Sequence, residues 1–520
     1  MKPFLRPTLL SLFLGVGIFV GYARARAATP EIDVILWFDT EDYLLPADDD
    51  AAKRLAELLT KRGIRATFKV VGEKARTLER RGRTDVIAAL NQHGIGYHAN
   101  LHSVHPTPSE YLADCGFLDG VAEFVRREGG GAADVRRIFS VNTLACYGQP
   151  GSSWGSQAIA ALGQIGVAPY GVPCYVDDGS HIGLHGKPFW YEGAIVVYDM
   201  ADNVTRMDLH DPAAVEPAER KVAAIAERLV REDGGGLISI YYHPCEWVHR
   251  EFWDGVNFRR GANPPREAWK PPGQLPPEET EASFQRFEQY IDFIRALPGV
   301  RFVTAAELPM LYPDRARSVG VSEAQLGALA AWVARADARG LDFHVADGMT
   351  FSAADQFDLL VRAVADQIGG RATTYPLRTH GLFGPDNAPP SGSSTAPRQL
   401  AWTAFRDAVV DARDFIEKEG RVPARVFIGP DAVPPADFLI GLARTFQSGR
   451  TDQNLSVREG VTLGANTELL ADGKVAQDTP GLFGGWIIHK EGFRAPKILD
   501  VARLQAWTLK PVVRSPTPAP

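Results

Sequence analysis

The stretch DVILWFDTED, residues 33–42, is an apolar run of strand length that ends in three carboxylates. Asp39, Glu41 and Asp42 fall within four residues, so their charges repel one another unless something compensates them. A solvated turn or a helix N-terminal cap would explain the cluster without any function. The alternative is a site, and that interpretation needs partners from other parts of the chain.

The sequence around this stretch alternates between strands and helices from residue 31 to about 314. The predicted strands are 33–38, 66–71, 95–98, 167–172, 194–198, 236–242 and 301–304, and the predicted helices are 48–62, 84–92, 156–165, 213–232 and 279–296. This alternation indicates a parallel sheet or barrel, in which chemistry gathers at the C-terminal ends of the strands. Asp39, His98 and His243 each stand at such an end.

A histidine-rich stretch, GYHANLHSVHPTP, occupies residues 96–108. It joins a strand end to a helix start, where Thr107 serves as N-cap, Pro108 as first helical residue and Glu110 completes a capping box. His98 and His102 lie four residues apart, so a tight turn or helix places both imidazoles on one side. Two imidazoles and a carboxylate suit zinc, and three protein ligands leave the fourth position open for catalysis. The simpler alternative is a polar surface loop.

The third element is His243, after the strand-like run GLISIYY at 236–242. A single histidine after a buried strand is usually structural. The order of an acid, then a His-x-x-x-His pair, then a histidine, each at a strand end, favours a site instead.

On these residues the sequence resembles the NodB-homology polysaccharide deacetylases of carbohydrate esterase family four. The matching stretches are FDTED at 38–42, ATFKVVG at 66–72, GIGYHANLH at 94–102, ISIYYH at 238–243 and VTAAEL at 303–308. The resemblance covers residues 31–314 and implies an α/β fold, a distorted (β/α) barrel of the NodB-homology type.

The resemblance also implies roles for individual residues. His98 and His102 would be ligands of a divalent metal, expected to be zinc, with cobalt or nickel as alternatives. The third ligand would be Glu41 or Asp42, and Asp42 is slightly favoured because aspartate is usual in the family. Asp39 would be the general base. His243 would protonate the departing amine.

His105 matches no family ligand, so it is expected to line the site or to form a local hydrogen bond. Aromatic residues at 241–253 suggest a wall on which a sugar stacks, although a loop packed on its own aromatic side chains explains them equally well; they are Tyr241, Tyr242, Trp247, Phe252 and Trp253.

One departure from the family concerns its third motif, which carries an arginine that orients the base. The corresponding stretch here, residues 146–154, has Gln149 near that position. Gln149 is therefore a candidate substrate contact. A neutral amide cannot lower the pKa of a carboxyl by charge. Either Asp39 is a more weakly held base, or another arginine approaches it from elsewhere.

The predicted activity is the metal-dependent hydrolysis of N-acetyl groups on an exported or cell-wall polysaccharide, such as peptidoglycan. One alternative is a catalytically degenerate glycan-binding module, which the missing arginine favours. The other is a related amidohydrolase acting on a small non-sugar amide.

Composition restricts partners and location. The 520-residue chain carries a net charge of −7 and no basic run of the kind that binds nucleic acid. Residues 1–28 have a basic start, an apolar run at 9–22 and a small-x-small cleavage pattern at 25–27, with Ala28 as an alternative last residue, as in a signal peptide. Export to the periplasm or beyond follows, and an uncleaved N-terminal anchor is the rival. The four cysteines include no C-x-x-C pair, and the sequence leaves the oligomeric state open.

Residues 315–514 no longer alternate between strands and helices. Helices are predicted there at 322–337, 352–368, 398–419 and 434–447. The stretches SAADQFDLL at 352–360 and PADFLIGL at 435–442 are alike and suggest a degenerate repeat. Residues 415–426 resemble the pseudomurein-binding repeat type, which implies cell-wall binding. We therefore expect a helical accessory domain here, followed by a disordered tail at 515–520.

Overall fold

The computed structural model describes residues 31–177, 182–184, 186–197, 203–336, 340–389, 398–449, 454–457, 460–464, 467, 488–490 and 492–515. The predicted signal peptide at 1–28 lies outside these residues, as do residues 516–520 of the predicted tail. None of the described helices is long and apolar enough to cross a membrane.

A mostly parallel sheet forms the frame of the first part of the described chain. Its strands are β1 (Glu31–Thr40), β2 (Thr67–Val70), β3 (Gly94–Tyr97), β4 (Cys174–Val176), β5 (Phe189–Tyr191), β6 (Ala194–Val197), β7 (Val204–Thr205), β8 (Gly235–Tyr242) and β9 (Val300–Val303), and β5 alone among these pairs antiparallel, with β6. The predicted strand at 167–172 is wrong, because Pro169–Gly171 form a 3-10 turn and the strand begins at Cys174. Strand β5 was not predicted.

Strand β1 is the centre of this frame and is buried along nearly its whole length. On one side it pairs with β8; on the other it pairs first with β9 and then with β2, all in parallel. The order continues through β3, an isolated bridge at Tyr147, β4 and β6. This parallel order fits the predicted distorted (β/α) barrel.

Helices pack between and around the strands. They are α1 (Pro46–Lys61), α2 (Gly72–Arg80), α3 (Thr84–Leu90), α4 (Pro108–Leu112), α5 (Phe117–Ile138), α6 (Ser156–Ala161), α7 (Val215–Asp233), α8 (Trp253–Asn257) and α9 (Pro277–Ala296). Their apolar faces and the strands form one large core. Since every strand of β1, β2, β3 and β8 runs the same way, their C-terminal ends meet at one edge.

The following residues form further helices and short strands, most of which pack around a second core. The helices are α10 (Leu308–Leu311), α11 (Arg315–Ser318), α12 (Glu323–Val333), α13 (Ala353–Ile368), α14 (Trp402–Glu419), α15 (Pro435–Ser448) and α16 (Pro496–Gln505), and the strands are β10 (His344–Ala346), β11 (Met349–Phe351), β12 (Arg398–Leu400), β13 (Val426–Ile428), β14 (Asp431–Val433), β15 (Leu455–Val457) and β16 (Lys510–Pro511).

The two stretches that suggested a repeat lie in equivalent places. Hairpin β10–β11 precedes α13, and hairpin β13–β14 precedes α15, each with a two-residue turn. A buried aspartate occupies the third position of each helix, Asp355 in α13 and Asp437 in α15. Helices are thus present where the accessory domain was predicted, whereas its role stays a prediction.

The last described segment packs against the first core. Strand β16 pairs with β5, and Ile498 and Leu509 belong to the large core of the barrel. Arg514 donates hydrogen bonds to the carbonyl of Glu31 (2.7 Å) and to the carboxylate of Asp33 (3.0 Å), both in β1. The domain boundary at 314 stays a prediction. The last described segment, although it follows this boundary in sequence, packs against the first core.

Candidate active site and metal centre

The C-terminal edge of the sheet brings together the residues that the sequence separates. Asp39 lies at the end of β1 and Glu41 directly after it, Lys69 lies in β2, His98 follows β3, and His243 follows β8. Because all four strands are parallel, these side chains converge on one place although Asp39 and His243 are 204 positions apart in the sequence.

Three side chains form a cluster that can hold a metal ion. Glu41 Oε2 lies 2.9 Å from His102 Nε2 and 3.4 Å from His98 Nε2. One ligand atom from each residue lies within 4.8 Å of the other two, and all three residues are buried. This set of one carboxylate and two imidazoles fits a divalent ion such as zinc.

The ring nitrogens of both histidines are correctly oriented for metal binding. His98 Nδ1 lies 3.0 Å from the carbonyl of Gly148, which can only accept, so Nδ1 carries the proton. Ser103 Oγ donates to Asp254 (3.1 Å) and therefore accepts from His102 Nδ1 at 2.7 Å. In each ring the lone pair of Nε2 is left facing Glu41.

The loop that carries the histidines is held in an uncommon backbone conformation. Ala99 and His102 have φ values of 64° and 58°, a left-handed region that non-glycine residues seldom adopt. The backbone N–H groups at the start of α2 donate to the carbonyls of Ala99 (3.0 Å) and Asn100 (2.9 Å). Tyr43 donates its hydroxyl to the carbonyl of Leu101 at 3.2 Å. These bonds hold the tight turn that the four-residue spacing requires.

Burial controls protonation in the cluster. It raises the pKa of Glu41 well above its usual range and lowers the pKa of His98 well below. It lowers the pKa of His102 as well. Neutral imidazoles are the form that binds a metal, and a buried carboxyl that is costly to ionise alone gains most from a neighbouring cation.

Asp42, which the sequence slightly favoured as the third ligand, lies outside this cluster, whose carboxylate is Glu41. Its carboxylate lies 3.0 Å from His249 Nδ1 and accepts from the backbone N–H of Leu44 at 2.8 Å. Its carbonyl accepts from the buried ammonium of Lys74 at 2.6 Å. Where the chain leaves the strand, Glu41 turns into the site and Asp42 turns away from it.

A lysine stands beside Asp39. Lys69 Nζ lies 2.9 Å from Asp39 Oδ1, 3.4 Å from the carboxylate of Asp177 and 2.9 Å from the carbonyl of Val176. The sequence left open either a more weakly held Asp39 or another arginine nearby; the structure places a lysine beside Asp39 instead. A lysine inside the otherwise apolar strand 66–71 was the available signal, because a buried lysine needs partners.

The surroundings of Lys69 are shaped for its ammonium group. Burial acts to lower the pKa of Lys69, but the carboxylates of Asp39 and Asp177 raise it above its ordinary value. The ammonium lies 3.9 Å from the centre of the Trp37 ring. A Cβ atom on Gly148 would overlap Nζ, so glycine is needed there. Lys69 therefore stays charged and holds Asp39 from one side.

The two ring nitrogens of His243 face different carboxylates, Asp39 and Glu246. Its Nε2 lies 3.6 Å from Asp39 Oδ2, and its Nδ1 donates to Glu246 at 2.8 Å. Glu246 also forms an ion pair with Arg206. Burial alone would lower the pKa of His243, yet Glu246, Glu41 and Asp39 raise it to about 9. Glu246 and Arg206 were not predicted as site residues.

Most of the predicted substrate contacts are part of the core. Tyr242, Trp247 and Trp253 are fully buried and pack on other aromatic rings. Stacking needs an exposed face, so these three cannot form a sugar-binding wall in this structure. Tyr241 is half-buried and stacks on Trp37 at 5.0 Å between ring centres.

Gln149 is also buried and has local partners. Its Oε1 accepts from the hydroxyl of Tyr175 at 2.7 Å, and its Nε2 donates to the carbonyl of Gly151 at 2.7 Å. The side chain is 2% exposed and therefore offers little to a substrate. His105 forms the local hydrogen bond expected of it, to Glu110 at 2.7 Å.

Several solved structures are similar to about half of this chain. They are described as family 4 carbohydrate esterases, as polysaccharide or peptidoglycan deacetylases, or as pseudoenzymes of that family. They include the Xyl-CE4 domain of a xylanase from the hindgut metagenome of Trinervitermes trinervoides (11% identity, TM-score 0.28, 54% of this chain and 90% of that one). Others are an acetyl xylan esterase from Clostridium thermocellum in complex with cobalt (15%, 0.28, 53% and 90%) and the peptidoglycan deacetylase PdaC from Bacillus subtilis (11%, 0.25, 54% and 90%).

No protein-family model and no curated protein matches the chain. At these identities and TM-scores, the distances and contacts within the site, rather than the likeness, carry the functional argument.

Proposed function

We propose that the protein is a metal-dependent hydrolase that removes N-acetyl groups from a polysaccharide, releasing acetate and a free amino sugar. The observation that carries this proposal is the meeting of the Glu41, His98 and His102 cluster with two differently charged groups, Asp39 and His243, at one edge of the sheet. Metal ligands, a base and an acid are the three parts that amide hydrolysis by water requires.

Glu41, His98 and His102 would hold the ion, whose chemistry there is to lower the pKa of water and to polarise a carbonyl. Asp39 accepts the proton of the attacking water. Lys69 places a buried ammonium 2.9 Å from Asp39 Oδ1 and so fixes the direction of this side chain.

His243 supplies the proton that the departing amine needs. With a pKa of about 9, its ring carries protons on both nitrogens at neutral pH. Nδ1–H is committed to Glu246, so Nε2–H is the proton that can be transferred. The base is thus a carboxylate paired with an ammonium, and the acid is a histidine paired with a carboxylate, which are the two kinds of group that acid–base catalysis requires.

The sequence of residues 1–28 supports the proposal that this activity takes place outside the cytoplasm, on an exported or cell-wall glycan such as peptidoglycan. The position of Lys69 removes the main argument for a degenerate glycan-binding module, because Asp39 does have a cationic partner.

The test is metal content and acetate release, measured on the purified chain and on the double variant His98→Ala/His102→Ala. We expect about one zinc-like ion per chain, lost in the double variant. Acetate should be released from N-acetylglucosamine oligomers only by the parent. A matched control is His210→Ala/His380→Ala, which removes two histidines outside the cluster. A parent that binds no metal after addition of zinc or cobalt would contradict the proposal and favour a binding module.

Replacing Glu246 by glutamine tests the acid. Loss of its charge should lower the pKa of His243, because Glu246 is one of the carboxylates that offset the effect of burial. The positive charge of Arg206 is then no longer balanced by Glu246, which lowers the pKa of His243 further. A general acid works only while protonated, so activity falls as pH rises through its pKa. The alkaline limb of the kcat/KM profile should therefore move to lower pH.

The control for this variant is Glu251→Gln, an exposed carboxylate of the same loop, whose profile should match the parent. An unchanged alkaline limb in Glu246→Gln would assign that limb to a group other than His243.

A further inference from the structure

A short segment from the C-terminal region lies against the metal-binding loop. His489 is 1% exposed, and its Nε2 is 2.8 Å from Ser109 Oγ and 3.1 Å from Thr107 Oγ1. Its ring packs on Phe493, with ring centres 4.5 Å apart. The contact with Ser109 spans 380 residues of sequence. Ordering two segments so far apart in sequence costs conformational entropy, which the contacts they make must offset.

Thr107 is the residue at which the histidine loop becomes helix α4. Its backbone N–H donates to the carboxylate of Glu110 at 2.7 Å, and the same carboxylate accepts from His105 at 2.7 Å. His489 therefore holds the end of the loop whose beginning carries His98 and His102.

Ser109 extends the contact to a second loop. Its Oγ and its backbone N–H both lie 2.9 Å from Ser153 Oγ. Ser153 belongs to the same loop as Gly148, whose carbonyl orients His98. One imidazole thus connects the loop that carries both histidine ligands to the loop that fixes the tautomer of one of them.

The neighbouring residue, Ile488, supports the same loop through a small core. It packs with Tyr43, Val71, Trp253 and Phe258. Tyr43 holds the carbonyl of Leu101, and Trp253 lies 6.0 Å from the ring of His102. The carbonyl of Ile488 accepts from the backbone N–H of Gly261 at 2.8 Å, which joins the segment to the barrel.

We propose that His489 is a positioning residue of the active site, and that residues 488–490 make the C-terminal region part of the catalytic unit rather than an appended module. His489 holds the loop 98–108 in the strained turn that brings His98 and His102 to Glu41. The inference rests on the proposed function only in naming what the loop binds. The physical claim is that the loop is less ordered without this imidazole.

The experiment compares full-length His489→Ala and His489→Gln with the parent, all prepared without metal. Backbone hydrogen exchange across residues 99–112 is measured first, and then zinc affinity by competition with a chelating dye. In His489→Ala we expect exchange in this stretch to accelerate about tenfold and zinc to bind about tenfold more weakly, as for other residues behind a metal ligand. Glutamine reaches both hydroxyls with its terminal amide and should recover most of both properties.

The matched control is His380→Ala, a histidine of the same region that pairs with Asp358 away from the barrel; it should leave both measurements at parent values. Parent-like exchange and affinity in His489→Ala would overturn the proposal. So would equal losses in the Ala and Gln variants together with faster exchange throughout the barrel, since this would be general destabilisation. A parent that binds no zinc would remove the proposed function, while the exchange measurement would still decide the role of His489.

Discussion

Replacing Glu41 with glutamine is expected to abolish metal binding, whereas replacing Asp42 with asparagine is expected to preserve it. Glu41 Oε2 faces both histidine Nε2 atoms, and a neutral amide at that place neither balances the ion's charge nor binds it strongly. Substitutions behind a ligand cost about 10–100-fold in affinity, so loss of a ligand should exceed about 100-fold. Hydrolysis should fall at least as far.

Asp42→Asn is the matched variant, because it removes the same charge one residue further along the chain. Asp42 faces His249 and Lys74 rather than the cluster. We expect near-parental zinc stoichiometry and a loss of about 1–3 kcal/mol in the free energy of unfolding, from a buried partner removed. Zinc content per chain and denaturant unfolding of the two variants measure these outcomes. Retention of zinc in Glu41→Gln with its loss in Asp42→Asn would reverse the assignment.

The second large effect is expected at Lys69. In Lys69→Met the buried carboxylates of Asp39 and Asp177 lose the ammonium that both contact, which is expected to destabilise the fold by about 3–5 kcal/mol. Asp39 also loses the contact that fixes its direction towards the attacking water. We expect kcat to fall about 100-fold, the lower range of general acid–base contributions, with KM and zinc affinity changed much less.

Two companion variants separate chemistry from stability. Lys69→Met/Asp177→Asn removes one of the two carboxylates that lose the Lys69 ammonium, and it should recover stability but not kcat. Lys69→Arg keeps the charge, but the tight space beside Gly148 fits an ammonium better than the larger guanidinium. The kcat of Lys69→Arg should therefore lie between those of Lys69→Met and the parent. If Lys69→Met kept kcat within about threefold of the parent once folded, Asp39 would not depend on Lys69.

The general plan of the active site could be predicted from sequence because it rests on local patterns. The apolar run ending in Asp39, the four-residue spacing of His98 and His102, and the strand before His243 are each visible within about ten residues. The strand direction then follows from the alternation with helices. Together these features predicted that acid and histidines meet at one edge of a parallel sheet, and in the structure they do.

Local sequence pattern could not decide whether Glu41 or Asp42 faces the two histidines. Both are carboxylates past the last paired residue of β1, where the alternation of side chains no longer applies. The turn that follows decides which one faces His102, and contacts with His249 and Lys74 set that turn. Lys74 belongs to α2, and His249 belongs to the loop after β8.

The aromatic residues after β8 show the same limit. Exposed and buried tryptophans look alike in sequence, and the 244–280 stretch is rich in the Pro and Gly residues of a surface loop. In the structure, Trp247 and Trp253 are covered because helix α9 and residues Tyr43, Phe258 and Trp269 pack on them.

The sequence by itself determined the α/β frame that begins at β1, the ends of β1, β3 and β8 as the place of chemistry, and the pair of histidines. These features depend on periodicity and short spacing, which can be read along the sequence alone. Only the tertiary structure decided that Glu41 joins the pair, that Lys69 is a cation beside Asp39, and that His489 reaches Ser109 across 380 residues. Each of these is a pairing of a buried polar group with a partner from another element, and such partners are chosen by the packing of the whole chain.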